Sequence, residues 1–317
     1  MRLASVLITC LLLQACASVV VSGRDSLPAK QLLTVPFVSQ QDFYCGPAAL
    51  EEIARFHGLS VDQQSIAKQV FIPGKKGSLA IEMQAAARQL GLLPYPLDKN
   101  LSSIISEVAA DNPVLVFQNL GFAWWPQWHY AVVVGYDLYT DELILHSGSH
   151  KNYRLSFATF TKTWARANNW ARVLTDSSYL PETAKPASYI STAYDFEQAG
   201  DVELAMSFYN LAAEEWPASK PVLTAQANVA LNQGDISRAI SLFAQLVQMD
   251  GDDPALWNNY AFALLAKGCA NEAITAINTA ISLAADPVLY QNSRDEIASS
   301  ADTSQSCPGI FMPSSDI

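Results

Sequence analysis

The chain has 317 residues, enough for about two domains of ordinary size. Half of its residues are hydrophobic, which supports a packed core and excludes general disorder. The net charge of −11 argues against a nucleic-acid partner, which would call for a basic face, and is read as a solubility feature.

Residues 1–16 are read as a targeting segment outside the fold. Arg2 is a minimal positive start, and Leu3 to Leu13 is apolar but too short to span a bilayer as a helix. The segment ends Leu13-Gln14-Ala15-Cys16, which resembles the bacterial lipobox. The resemblance implies that Cys16 carries lipid and anchors the mature chain to a membrane. An ordinary signal peptide cut near Ala17 and Ser18 is the alternative. Ala17, and not Asp, follows the cysteine, so the likeness to Gram-negative lipoproteins implies the outer membrane with the protein facing the periplasm.

Residues 17–30 read as a tether, and residue 31 opens a domain that runs to 175. Leu33 to Val38 is extended. Ala49, Leu50, Ile53 and Ala54 follow helical spacing after Gly46-Pro47, and Gly58 stops that helix. Asp62 to Val70, Ile81 to Leu90 and Leu101 to Ala110 predict three more short helices, with Gly74 to Ser78 as a loop. Pro113 to Gln118, His129 to Tyr136 and Glu142 to His146 then predict strands. Phe157 to Trp170 is helical or mixed, and Ala171 to Leu174 closes the sheet. Helices followed by an antiparallel sheet is an α+β order.

Residues 176–186, with Pro181 and Pro186, have the composition of a linker. Beyond them Gly200, Gly234 and Gly268 recur at intervals of 34, as do Ala205, Ala239 and Ala273. Residues 187–290 thus resemble three tetratricopeptide repeats, an all-α solenoid, and 291–317 is left as a C-terminal tail. The repeats are expected to recruit a protein partner or substrate through their concave face.

The chemistry is concentrated in two runs, Cys45-Gly46-Pro47-Ala48-Ala49-Leu50 and Trp128-His129-Tyr130-Ala131-Val132-Val133-Val134-Gly135-Tyr136-Asp137. Proline suits the first positions of a helix, so the Cys45 thiol is expected at a helix N-terminus, where the dipole lowers its pKa. Gly46 is expected to let a substrate backbone approach the sulfur. Gln40, or alternatively Gln41, is placed to donate to a developing oxyanion.

Residues 31–175 resemble the papain-like cysteine peptidases of the double-glycine-leader (bacteriocin-processing) class, and more closely a bacterial lipoprotein group that fuses such a domain to tetratricopeptide repeats. The resemblance implies Cys45 as nucleophile, His129 as general base and acid, and Gln40 as oxyanion donor. The class carries an aspartate on the strand after the histidine strand. The matching position here is Ser147, with Asn152 as a second candidate to orient the imidazole. Slow or highly context-dependent turnover is therefore expected.

Glu51 and Glu52 are expected to face solvent and His57 to end its helix, while His146 and His150 either approach the site or occupy surface or turn positions. Trp124, Trp125 and Trp128 either line a substrate groove or pack in the core. An oxidising compartment favours a Cys269–Cys307 disulfide, which leaves Cys45 free. No Cys-x-x-Cys or His-x-x-x-His spacing is present, so no metal and no cofactor are expected. The favoured function is hydrolysis of a peptide bond in a protein substrate. The alternatives are a catalytically silent scaffold and an acyl-transferring thiol enzyme.

Overall fold

The computed structural model describes residues 20–75, 77–300 and 307. Cys16, expected to carry lipid, and the expected targeting segment 1–16 lie outside the described residues. Among the described residues no helix is long and apolar enough to cross a membrane.

Strand β1 (Lys30–Leu32) leads into an extended arm, and α1 (Cys45–Phe56) follows it. Leu50, Ile53 and Ala54 bury the inner face of α1 completely. Helix α2 (Gln63–Val70) is capped by Asp62, whose carboxylate accepts from the N–H groups of Gln64 and Ser65. The expected loop at 74–78 is partly a small hairpin, with β2 (Phe71–Ile72) antiparallel to β3 (Gly77–Ser78). Then come α3 (Ala80–Gln89), β4 (Leu93–Pro96), α4 (Leu101–Ala109), β5 (Val114–Asn119), β6 (Trp128–Asp137), β7 (Glu142–Ser147), β8 (His150–Ser156), α5 (Phe157–Ala165) and β9 (Ala171–Thr175).

The sheet has the order β4-β9-β5-β6-β7-β8, with β1 paired to the far end of β6. Every pairing is antiparallel. The central strand β6 is buried from Tyr130 to Tyr136, so its first residues emerge at the rim of the sheet. Helix α1 packs against this strand. One helix N-terminus and one strand start are thereby brought to the same rim.

The repeat region consists of α6 (Pro186–Gln198), α7 (Val202–Glu215), α8 (Lys220–Asn232), α9 (Ile236–Met249), α10 (Pro254–Lys267), α11 (Ala270–Leu283) and α12 (Val288–Ser300). Gly200, Gly234 and Gly268 make the turns inside the helical pairs with φ of 90°, 80° and 88°, a conformation that a side chain would strain. Residues 291–300, expected as tail, are helical instead. Ile297 of α12 is fully buried in the core cluster of the last repeats, so this helix covers an apolar face that the third pair would leave open. Cys269 and Cys307 are joined in a disulfide.

The segment 176–186 has a linker's composition but is held in place. The buried Glu107 carboxylate accepts from the backbone N–H of Glu182 and Thr183 and from the Thr183 hydroxyl. Tyr95 Oη accepts from the Lys185 N–H at 3.0 Å. One hydrophobic cluster runs from the sheet into Tyr189, Phe196, Phe208, Tyr209 and Val222 of the first repeats. The two regions share a core.

Candidate active site

Cys45 is the first residue of α1, as its sequence context requires. The thiol is largely buried and reaches the backbone of Tyr130, the residue after His129. His129, the second residue of β6, places its Nε2 2.9 Å from Ser147 Oγ at the end of β7. Its other ring nitrogen, Nδ1, is not engaged by Ser147. Cys45, His129 and Gln40 all line one cleft of about 720 Å³. Chain segments that are distant in sequence meet here because α1 lies across the start of β6.

Gln40 ends the arm that precedes α1. Its N–H donates to the Gly148 carbonyl at 3.3 Å, and its side-chain Oε1 is buried without a hydrogen-bond partner. Gln41 is exposed, its N–H donating to Gln63 Oε1 at 3.1 Å, and it does not line the cleft. Of the two glutamines, only Gln40 is beside Cys45.

The electrostatics differ from the expected thiolate. Burial pushes the Cys45 thiol above its ordinary value, outweighing the backbone groups of Tyr130, Gly46 and Cys45 that lower it. Burial also lowers the His129 imidazole to about 4. Both groups therefore rest neutral near pH 7. The helix N-terminus is present, but desolvation is the larger effect.

Several other expectations are corrected. Glu51 and Glu52 are buried, not exposed. Glu51 pairs with Arg55, and Glu52 accepts from the Val38 N–H and faces His146 Nδ1 at 3.1 Å. His146 is buried too, with Nε2 3.2 Å from Asn152 Oδ1, so Asn152 serves His146 and not His129. Gly46 has Met83 and Ser78, not open space, where a Cβ would sit, with Met83 Sδ at 2.9 Å. His57 caps the end of α1 as expected, and its Nε2 lies 2.8 Å from the Leu174 carbonyl. His150 is exposed on β8.

Trp124, Trp125 and Trp128 are outside the core. Trp124 and Trp125 are exposed at 78% and 64%. Trp128 stacks on Phe117, with ring centroids 5.3 Å apart, and forms part of the cleft wall. Sequence reasoning missed Glu52 and the cleft residues Ser78 and Leu79, while His146 does approach the site, one of the two alternatives expected for it. The signal for Glu52 was its spacing: it stands seven residues after Cys45, two helical turns along the same face.

The family comparisons agree with this architecture. Residues 32–171 match the model of the Peptidase_C39 like family, and residues 230–295 match the tetratricopeptide repeat. Residues 32–171 are a C39-like peptidase domain. It is followed by a tetratricopeptide-repeat region, of the kind that binds proteins or peptides. Among solved structures, a C39-like peptidase from Bacillus anthracis is 15% identical, with a TM-score of 0.39, covering 47% of this chain and 98% of its own. The peptidase domain of Streptococcus ComA, a bi-functional ABC transporter involved in a quorum sensing pathway, is 22% identical, with a TM-score of 0.35, covering 46% and 98%. A double glycine motif protease from an AMS/PCAT transporter, in complex with the leader peptide, is 16% identical, with a TM-score of 0.34, covering 45% and 96%. No curated protein matches the chain.

Proposed function

We propose that this protein is a cysteine peptidase whose repeats recruit a protein substrate or partner. The observation that carries the reading is the shared cleft of Cys45, His129 and Gln40. In the proposed cycle the substrate carbonyl enters beside Cys45. The Cys45 proton passes to His129 Nδ1 as Sγ bonds to the carbonyl carbon. The Gln40 amide and the Cys45 N–H stabilise the oxyanion. His129 then returns the proton to the leaving amine as the C–N bond breaks. Water adds to the thioester, giving one proton to His129, and Cys45 leaves with that proton restored. Neutral starting groups make this a general-base mechanism rather than one that starts from an ion pair.

The lipid anchor at Cys16 and an outer-membrane, periplasm-facing location belong to the same proposal. They are supported by the Leu13-Gln14-Ala15-Cys16 run and by the oxidised Cys269–Cys307 pair, which suits an oxidising compartment. The alternative of a silent binding scaffold draws on Ser147, which stands where a carboxylate would stabilise imidazolium. Iodoacetamide labelling separates the two. A peptidase labels selectively at Cys45 and loses that rate in His129→Ala; equal, sluggish labelling of both proteins would defeat the enzyme reading. Comparison of periplasmic protein N-termini with and without Cys45→Ala then identifies the substrate.

A further inference from the structure

A buried ionisable pair of the domain, Glu52 with His146, takes no part in the cycle above. Its placement is informative. Glu52 lies on the Cys45 face of α1, and its two carboxylate oxygens reach different parts of the site. Oε1 accepts from the Val38 N–H at 2.9 Å, within the arm that ends in Gln40. Oε2 faces His146 Nδ1 at 3.1 Å, next to Ser147, which holds the His129 ring. His146 Nε2 in turn faces Asn152 Oδ1, where Asn152 has a φ of 55° and the β7–β8 register shifts. One carboxylate therefore ties together the nucleophile helix, the oxyanion arm and the strand end that orients the imidazole.

A buried carboxylate on a helix face that apolar side chains would otherwise fill carries a desolvation penalty. Simple packing does not call for it. We infer that Glu52 and His146 are positioning residues, a clamp that sets Gln40 and the Ser147–His129 pair relative to the Cys45 sulfur. The clamp replaces, at one remove, the orienting function that a carboxylate on His129 would serve. This inference rests on the peptidase reading.

The test measures the rate advantage that His129 gives to iodoacetamide labelling of Cys45 at neutral pH. Glu52→Gln keeps an acceptor for Val38 but removes the charge facing His146. It should reduce that advantage by roughly ten- to a hundredfold, the scale of a small misplacement of reacting groups. Glu51→Gln removes the other buried carboxylate of α1 and should leave the advantage unchanged. Adding Ser147→Ala to Glu52→Gln should cost little more than either change alone, because both act through the His129 ring. Should Glu52→Gln not fold, His146→Gln carries the same three readouts. A wild-type protein without a His129 advantage would sink the peptidase reading and the clamp with it. A normal advantage that survives in Glu52→Gln, or losses that add fully with Ser147→Ala, would overturn the clamp alone.

Discussion

His129 makes acid a specific probe of the site. Burial lowers its imidazole from 6.5 to about 4, so protonating it in the folded protein is harder than in the unfolded chain. The unfolded state therefore binds more protons across that window. The contribution is favourable and complete above about 6.5, and it is lost as the pH falls through the window toward 4. At pH 4 the linkage relation gives a loss of about 3 kcal/mol from this one residue. His129→Gln retains a polar group beside Ser147 but cannot titrate. Urea unfolding of both proteins near pH 7 and at pH 4 isolates the effect, since other acid-sensitive groups cancel between them. The wild type should lose about 3 kcal/mol more than the variant. Identical acid losses would refute the claim that the ring is held neutral, and with it the general-base mechanism.

Three further outcomes are expected. Ser147→Asp places a carboxylate at His129 Nε2 and should raise the neutral-pH labelling rate of Cys45 by about tenfold, the effect of roughly one unit of pKa change; an unchanged rate would show that the ring is not oriented through that contact. Glu107→Ala strips the acceptor from the Glu182 and Thr183 N–H groups, and should cost about 2–4 kcal/mol and open residues 176–186 to limited proteolysis; resistance equal to wild type would show that the segment is held by something else. Cys307→Ser releases a loop of sequence separation 38 and should lower the stability of the C-terminal repeats by up to about 4 kcal/mol, read by hydrogen exchange in α11 and α12.

What could be read from the chain was what local physics decides. The helices of the peptidase domain announce themselves through apolar spacing, as Leu50, Ile53 and Ala54 do in α1. The repeats announce themselves through their period. Strand β8 was missed because it is exposed along nearly its whole length and has no apolar alternation; only its pairing with β7 makes it a strand. Strand β4 was hidden by Pro94 and Pro96, which are tolerated because β4 is the edge of the sheet. The acidic pair on α1 reads as solvent-facing by composition. Glu52 is buried because His146 meets it from 94 residues downstream, a relation that no local window contains.

Long-range contacts of the same kind join the repeats to the far end of α1. His57 ends α1, the helix that begins at Cys45, and its ring lies 2.8 Å from the Leu174 carbonyl and 3.5 Å from Asp176. Tyr179 stacks on the same ring, with centroids 6.3 Å apart. Asp176 and Tyr179 belong to the segment that Glu107 and Tyr95 hold against the sheet, and that segment leads directly into α6. Helix α6 packs on β4 and shares the hydrophobic cluster of the sheet. A protein seated in the repeat groove, whose walls include residues of α6 and α8, would load an element continuous with the far end of the nucleophile helix. The junction is packed against both ends of that path: α1 has a buried polar anchor on its inner face at Glu52 and another at its C-terminal end at His57.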